Sequence, residues 1–301
     1  MWEPDPAWHP LVGGTGASTV GVWRTDSEGR PLVVKRLGSP TRDDPPELAD
    51  PHHFAYWRRE ADVATTSVVE TTPGLRSTVV DVAEDEHGIT LTREWVEDAA
   101  LNGLYVAHAM GRFAGADLGR HRWLAVGQLR DRLARVERRG GWPTLARTTV
   151  ADVADRLWNR RETLLRELDA LPQVAQHGDP AVQNFPGRDG DDVLAIDWST
   201  LGCGPVGADL GIYLQNARED AEPLLEAYLM GLPDGLATAG EATLGMRVSA
   251  AYTVLSRAEW ALARVAGGEG ALAGKYRHPS VAPHLRALQR QFPHLEALLE
   301  S

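Results

Sequence analysis

Asp179, Asn184 and Asp197 place two carboxylates and one carboxamide inside a single short stretch, His177 to Trp198. Asp179 follows His177-Gly178, and Asp197 ends the apolar run Val193-Leu194-Ala195-Ile196. Carboxylate and carboxamide oxygens are ligands for a hard cation, and a further carboxylate can position a hydroxyl nucleophile. That is the set a magnesium-dependent phosphoryl transfer needs. An aspartate, with a reference pKa near ~3.9, is a weak base, so Asp179 would act more by orienting a hydroxyl than by abstracting its proton. A carboxylate at the end of a buried strand is costly unless metal or donors pair with it, which is the expectation for Asp197. His177 reads as a residue that fixes backbone beside the loop. Asp209, in Gly207-Ala208-Asp209-Leu210, reads either as a helix N-cap or as an acceptor for the loop's amides. Cys203 reads as a small buried thiol.

Upstream, Gly13, Gly14 and Gly16 precede Ser18 and Thr19 between two short apolar runs. Such glycines let backbone N–H groups approach phosphates, and the hydroxyls add donors, although the same composition suits a plain turn. The Gly-Lys-Ser/Thr ending of a P-loop is missing. Lys35 closes Leu32-Val33-Val34, where an ammonium would pair with phosphates or simply reach into water. Glu60 in Arg58-Arg59-Glu60 would hold that lysine, or would sit on a solvated helix face.

Elements to position these groups follow from the pattern. Short strands are expected at 20–23, 32–35, 78–82 and 89–95, with a helix over 54–69 and a Pro-rich loop over 38–51 that either covers the site or is an inert insertion. After about residue 96 the chain turns helical. Val153, Leu157, Leu164 and Leu168 recur at helical spacing behind a Thr149 N-cap, and Leu244, Val248, Leu255 and Leu262 mark another helix. Val281, Leu285 and Leu288 mark a last one, which Pro293 should kink or end. Gly187 to Asp191 reads as a hairpin turn. The fold class is α+β: a small sheet-rich lobe over residues 1–96 and a larger helical lobe over 97–301, with the site in the cleft between them.

Composition narrows the field. A net charge of −11, from 42 acids against 31 Lys plus Arg, argues against a nucleic-acid partner. One cysteine excludes an internal disulfide, and no leader-like or membrane-length apolar run is read, so a cytoplasmic protein with no membrane partner is expected. Zinc spacings such as HExxH or CxxC are absent from the sequence. The ten tryptophans are expected to fill cores and clefts.

His177-Gly178-Asp179, then Asn184, then Ala195-Ile196-Asp197-Trp198, then Asp209-Leu210 resembles the aminoglycoside phosphotransferase and choline kinase-like family, whose fold is related to protein kinases. The likeness extends in order to Lys35, Glu60 and Leu91-Thr92-Arg93-Glu94-Trp95-Val96, and covers roughly residues 10 to 265. It implies a two-lobed protein-kinase-like fold with an antiparallel-sheet N-lobe. It implies Asp179 as catalytic carboxylate, Asn184 and Asp197 as Mg2+ ligands, and Gly14, Gly16, Ser18, Thr19 and Lys35 on the nucleotide phosphates, with Glu60 holding Lys35. The backbone near Glu94 and Val96 would meet a purine. Pro180-Ala181 departs from the family's usual Leu-His at the face toward the acceptor. The expected activity is transfer of the γ-phosphoryl group of ATP or GTP to a hydroxyl of a small polar molecule, such as an antibiotic, amino-alcohol or sugar. A nucleotide-binding pseudokinase and a hydrolase with paired acids are the competing readings. The acidic run Glu219, Asp220, Glu222 and Glu226, and Glu259-Trp260, are the candidate contacts for a cationic acceptor or are solvated helix surface.

Overall fold

Hairpins build the N-terminal sheet. In the computed structural model, which describes residues 2–11, 16, 18–140, 151–266, 279 and 281–300, strand β1 (His9–Pro10) pairs with β2 (Thr19–Ser27), and β2 with β3 (Arg30–Gly38). Glu28 and Gly29 between β2 and β3 have φ of 54° and 79°. Positive φ at both central residues matches the twist of the flanking strands, and Asp26 Oδ1 accepts from Gly29 N at 2.9 Å to close the turn. β5 (Val80–Asp85) and β6 (Gly88–Glu94) complete an antiparallel sheet ordered β1-β2-β3-β6-β5.

Helix α1 (Arg59–Thr66) is shorter than the expected 54–69. The cause is Arg59, whose buried guanidinium collects the carbonyls of Pro51, His53 and Phe54 at 2.7–3.1 Å and so bends that segment into turns. The same guanidinium donates to Trp123 O at 2.6 Å and Ser199 O at 3.0 Å, which lie in the helical region. Leu37, Ala61, Ile89 and Leu91 form the small core between sheet and helix. The Pro-rich segment contains a short turn at Pro46–Leu48, and Glu47 meets Arg138 at 2.8 Å.

A strand that the pattern does not announce, β4 (Leu75–Arg76), pairs in parallel with a strand of the 177–197 segment. Beyond it come α2 (Gly103–Ala114), capped by Asn102, then β7 (Ala125–Val126), α3 (Gln128–Arg138) and α4 (Ala151–Asp169). β8 (Gln173–Gln176) delivers His177, and the hairpin of β9 (Gly187–Asp189) and β10 (Asp192–Leu194) delivers Asp197. β11 (Gly202–Pro205) lies between β7 and β8. Helices α5 (Ala208–Tyr213), α6 (Ala221–Gly231) and α7 (Ala239–Ala266) pack around Phe113, Leu157, Leu210, Tyr252 and Leu255, all buried. α8 (Ala282–Arg290) ends just before Pro293, as expected, but a further helix, α9 (Phe292–Glu300), follows. Pro293 sits in its first turn, where a missing N–H costs nothing. The Thr149 cap lies outside the described residues. The architecture is a mixed α/β fold, with an antiparallel sheet in the N-terminal region and helices in the C-terminal region.

Candidate active site

Strand β3 turns the face carrying Val33, Lys35 and Leu37 toward α1, so Lys35 meets Glu60. Lys35 Nζ is 2.5 Å from Glu60 Oε2 and 2.9 Å from Asp197 Oδ1. Burial would lower the ammonium's pKa, but the two carboxylates outweigh it and raise it above its ordinary value. At Asp197 burial works upward, and Lys35 outweighs it, holding the carboxyl below its usual range. Glu60 moves the other way, pushed up by burial and by Asp197 against the pull of Lys35. The three groups thus carry a deprotonated Asp197 beside a firmly charged lysine. Asp197 has φ of 62°, a left-handed backbone that a β-strand end does not require; such strain is commonly stored where a side chain must be aimed.

The loop from His177 to Asn184 is held from three sides. Asp209 accepts from His177 N at 2.7 Å and from Gly178 N at 3.0 Å, the second of its two expected roles. Its N-cap alternative fails, because Gly207 precedes α5 in that position. Burial pushes the Asp209 carboxyl up to about 7. His177 Nδ1 accepts from Asp179 N at 3.3 Å, which leaves Nε2–H to donate to Ile196 O at 2.9 Å. Burial pushes this imidazole down, so it is a neutral brace between the loop and the strand that ends at Asp197. Gly178 has φ of 82°, and a Cβ there would meet Thr200 O at 2.4 Å.

Asn184 Nδ2 donates to the Asp179 backbone carbonyl at 2.9 Å. Only the amide nitrogen can donate to a carbonyl, so Oδ1 is the atom left over, with no hydrogen bond among the described residues. Asn184 Oδ1 and the second oxygen of Asp197 are therefore two oxygen donors suited to a hard cation. No group of three His, Cys, Asp or Glu able to hold a metal occurs among the described residues. A cation here would thus complete its shell with phosphate or water oxygens.

Gly16, Ser18 and Thr19 form the entry to β2, where Thr19 N donates to Gly16 O at 3.0 Å and Gly38 N to Ser18 O at 2.8 Å. Gly14 lies outside the described residues. Glu94 ends β6 beside Leu32, and the Val96 N–H just beyond makes no hydrogen bond among the described residues. A backbone donor so left is what a purine edge would need. Cys203 is partly buried in β11, and burial pushes its thiol up.

Arg257 was not legible beforehand. It projects from α7, with its guanidinium 2.5 Å from Asp179 Oδ1 and 2.9 Å from Gln215 Oε1. Its sequence signal is an arginine in the apolar stretch Ala250 to Leu262, where an unpaired charge would be costly. Arg59, the tie between α1 and the helical region, gave a similar signal beside Ala61 and Val63.

Structural comparison finds the same fold in a choline/ethanolamine kinase family protein from Mesorhizobium loti, with 17% identity and a TM-score of 0.59 over 96% of this chain and 92% of that one. It also finds choline kinase LicA from Streptococcus pneumoniae, with 12% identity and a TM-score of 0.61 over 96% and 93%. A thermostable mutant of aminoglycoside phosphotransferase APH(4)-Ia, solved with ADP and hygromycin B, gives 14% and 0.60 over 97% and 94%. No curated protein matches the chain. The Phosphotransferase enzyme family profile matches residues 11–241, and the chain belongs to that family.

Proposed function

We propose that the protein transfers the γ-phosphoryl group of ATP or GTP to a hydroxyl of a small polar molecule, using Mg2+. The observation that carries this reading is the convergence of Lys35, Glu60 and Asp197 within 2.9 Å, next to a loop that presents Asp179 and Asn184. Residues 1–96 serve as the nucleotide-binding lobe and residues 97–301 carry the loop and the acceptor site. Lys35, held by Glu60, binds the nucleotide phosphates. The backbone near Glu94 and Val96 takes the purine, which leaves ATP and GTP equally admissible. Gly14, Gly16, Ser18 and Thr19 cover the phosphates. Asn184 Oδ1 and Asp197 would hold Mg2+, which supplies charge neutralisation at the β- and γ-phosphates.

Asp179 Oδ2 accepts the hydroxyl and aims its oxygen in line with the γ-phosphorus. The new O–P bond forms as the bond from phosphorus to the β–γ bridging oxygen breaks. The electron pair leaves with the nucleoside diphosphate, and the hydroxyl proton passes to Asp179 and then to water. Positioning and charge stabilisation supply most of the acceleration.

Asp197→Ala tests this assignment. The folded variant is expected to lose Mg-nucleotide binding and ADP formation, read by calorimetry and a coupled assay. Normal turnover in that variant would overturn the site. A binding-only protein would bind the nucleotide yet form no ADP with any acceptor.

A further inference from the structure

The surroundings of Asp179 are basic. Arg257 pairs with Asp179 Oδ1, and Oδ2 has no hydrogen bond among the described residues. Helix α3 abuts the same loop: Gln128 Nε2 donates to Thr200 O at 2.8 Å, and Thr200 Oγ1 donates to His177 O at 3.0 Å. Arg132 and Arg135 follow Gln128 at spacings of four and seven, on one helix face. Their guanidiniums lie 4.6 Å and 4.9 Å from the Phe54 ring centroid.

The other arginines at this helix each have a carboxylate: Arg130 with Asp169 at 2.7 Å, Arg138 with Glu47 at 2.8 Å, Arg139 with Glu259 at 3.3 Å. Arg132 and Arg135 have none within ion-pair distance among the described residues. The charges of Arg257 and Asp179 both act on Arg132, and burial, followed by Arg257, pushes its guanidinium down to about 10. A partly buried cation without a counter-ion is an anion site in waiting.

The acids that would have suited a cationic acceptor are otherwise engaged. Glu219 Oε1 accepts from Gly103 N at 2.8 Å, at the start of α2. Asp220, Glu222 and Glu226 are exposed at α6, and Glu259 is buried against Arg139. The transferred phosphoryl group alone does not need three arginines when Lys35 already faces it.

We propose that the acceptor carries an anionic group, a carboxylate or a phosphate, within a few bonds of its reacting hydroxyl, and that Arg257 and Arg132 bind that group. This rests on the phosphotransferase reading of the site. The hydroxyl meets Asp179 Oδ2 while the neighbouring anion takes Arg257, so the two requirements select one another. Arg257 has five N–H donors and uses two, which leaves a fork for a planar carboxylate or a phosphate edge.

The test loads the full chain with Mg2+ and a non-hydrolysable ATP analogue, then titrates malonate, methylphosphonate, neutral malonamide and cationic putrescine by calorimetry. Malonate or methylphosphonate is expected to bind, the preferred one identifying carboxylate or phosphate, with no binding of malonamide or putrescine. Arg132→Met is expected to weaken the anion at least about tenfold, the loss of one charged hydrogen bond, while Arg130→Met on the same helix leaves it unchanged. Thermal melts establish that both variants fold. Equal binding of malonamide, preference for putrescine, equal loss in Arg130→Met, or no anion binding would each overturn the inference. Failure of the analogue itself to bind would instead sink the phosphotransferase reading.

Discussion

Asp179 divides its two oxygens between tasks. Oδ1 is tied to Arg257 and Oδ2 has no hydrogen bond among the described residues, so the guanidinium fixes the rotamer that presents the oxygen which the proposed function assigns to a hydroxyl. Asp179→Asn keeps the shape, gives up the charge that pairs with Arg257 and replaces one acceptor by a donor. Under the proposed function, turnover is expected to fall by about 10²–10⁴, while Mg-nucleotide affinity, which that reading assigns to Lys35, Asn184 and Asp197, is largely retained; steady-state kinetics beside nucleotide titration separate the two. Loss of both together would assign Asp179 a folding role.

Among the elements, the β5–β6 turn shows how a strand partner stabilises the sheet that holds Lys35. Arg36, on the opposite face of β3 from Lys35, is buried and reaches Asp85 at 2.6 Å and Thr90 Oγ1 at 2.9 Å. Asp85 also accepts from the N–H groups of His87 and Gly88. The Arg36 hydrogen bond, then these amides, hold its carboxyl down at about 2. A depressed folded pKa stabilises the fold above the ordinary aspartate range and loses that contribution as pH falls toward about 2. Asp85→Asn is therefore expected to lower stability at pH 6, with its gap to the wild type narrowing from pH 4 downward in urea titrations. A gap that stays constant with pH would show that the charge is irrelevant. The β5–β6 pair, β3 and the β9–β10 hairpin were legible because their signals are local: alternation, a turn dipeptide, an apolar run. α1 is shorter than its sequence pattern predicts because its N-terminal boundary is set by Arg59, whose carbonyl partners include Ser199, 140 positions away. Likewise, the spacing brings Asp179, Asn184 and Asp197 into one candidate cluster, and the structure places the three side by side, with Asn184 bonded to the Asp179 carbonyl and to the strand that ends at Asp197. Arg257 could not be read from spacing, since its partner lies 78 residues off and nothing in a helix pattern announces it.

At the scale of the whole molecule, Arg59 is the joint between the sheet region and the helical region. Among the described residues no carboxylate lies within ion-pair distance of it; five carbonyl oxygens accept its hydrogen bonds at 2.6–3.1 Å, and burial pushes its guanidinium down to about 10. Arg59→Met keeps much of the volume and strands those carbonyls. A loss of several kcal/mol is expected, about 1–3 kcal/mol for each buried carbonyl left without a donor, and a urea midpoint shift without a change in slope would measure it. A loss below about 1 kcal/mol would mean that water replaces the guanidinium at little cost.

The position next to Arg59 is Glu60, the carboxylate that grips Lys35, and this adjacency limits how the enzyme can be controlled. In protein kinases, moving the helix that bears this glutamate is how activity is switched. Here any outward swing must first break the two hydrogen bonds from Arg59 to Trp123 and Ser199, roughly 3 kcal/mol at about 1.5 kcal/mol for each charged bond, so a displaced helix would occupy on the order of 10⁻² of molecules. A small molecule that binds only the displaced form would forfeit that whole factor in affinity. Under the proposed function, throughput would then follow how much protein and acceptor are present, and an inhibitor would have to compete for the assembled pocket.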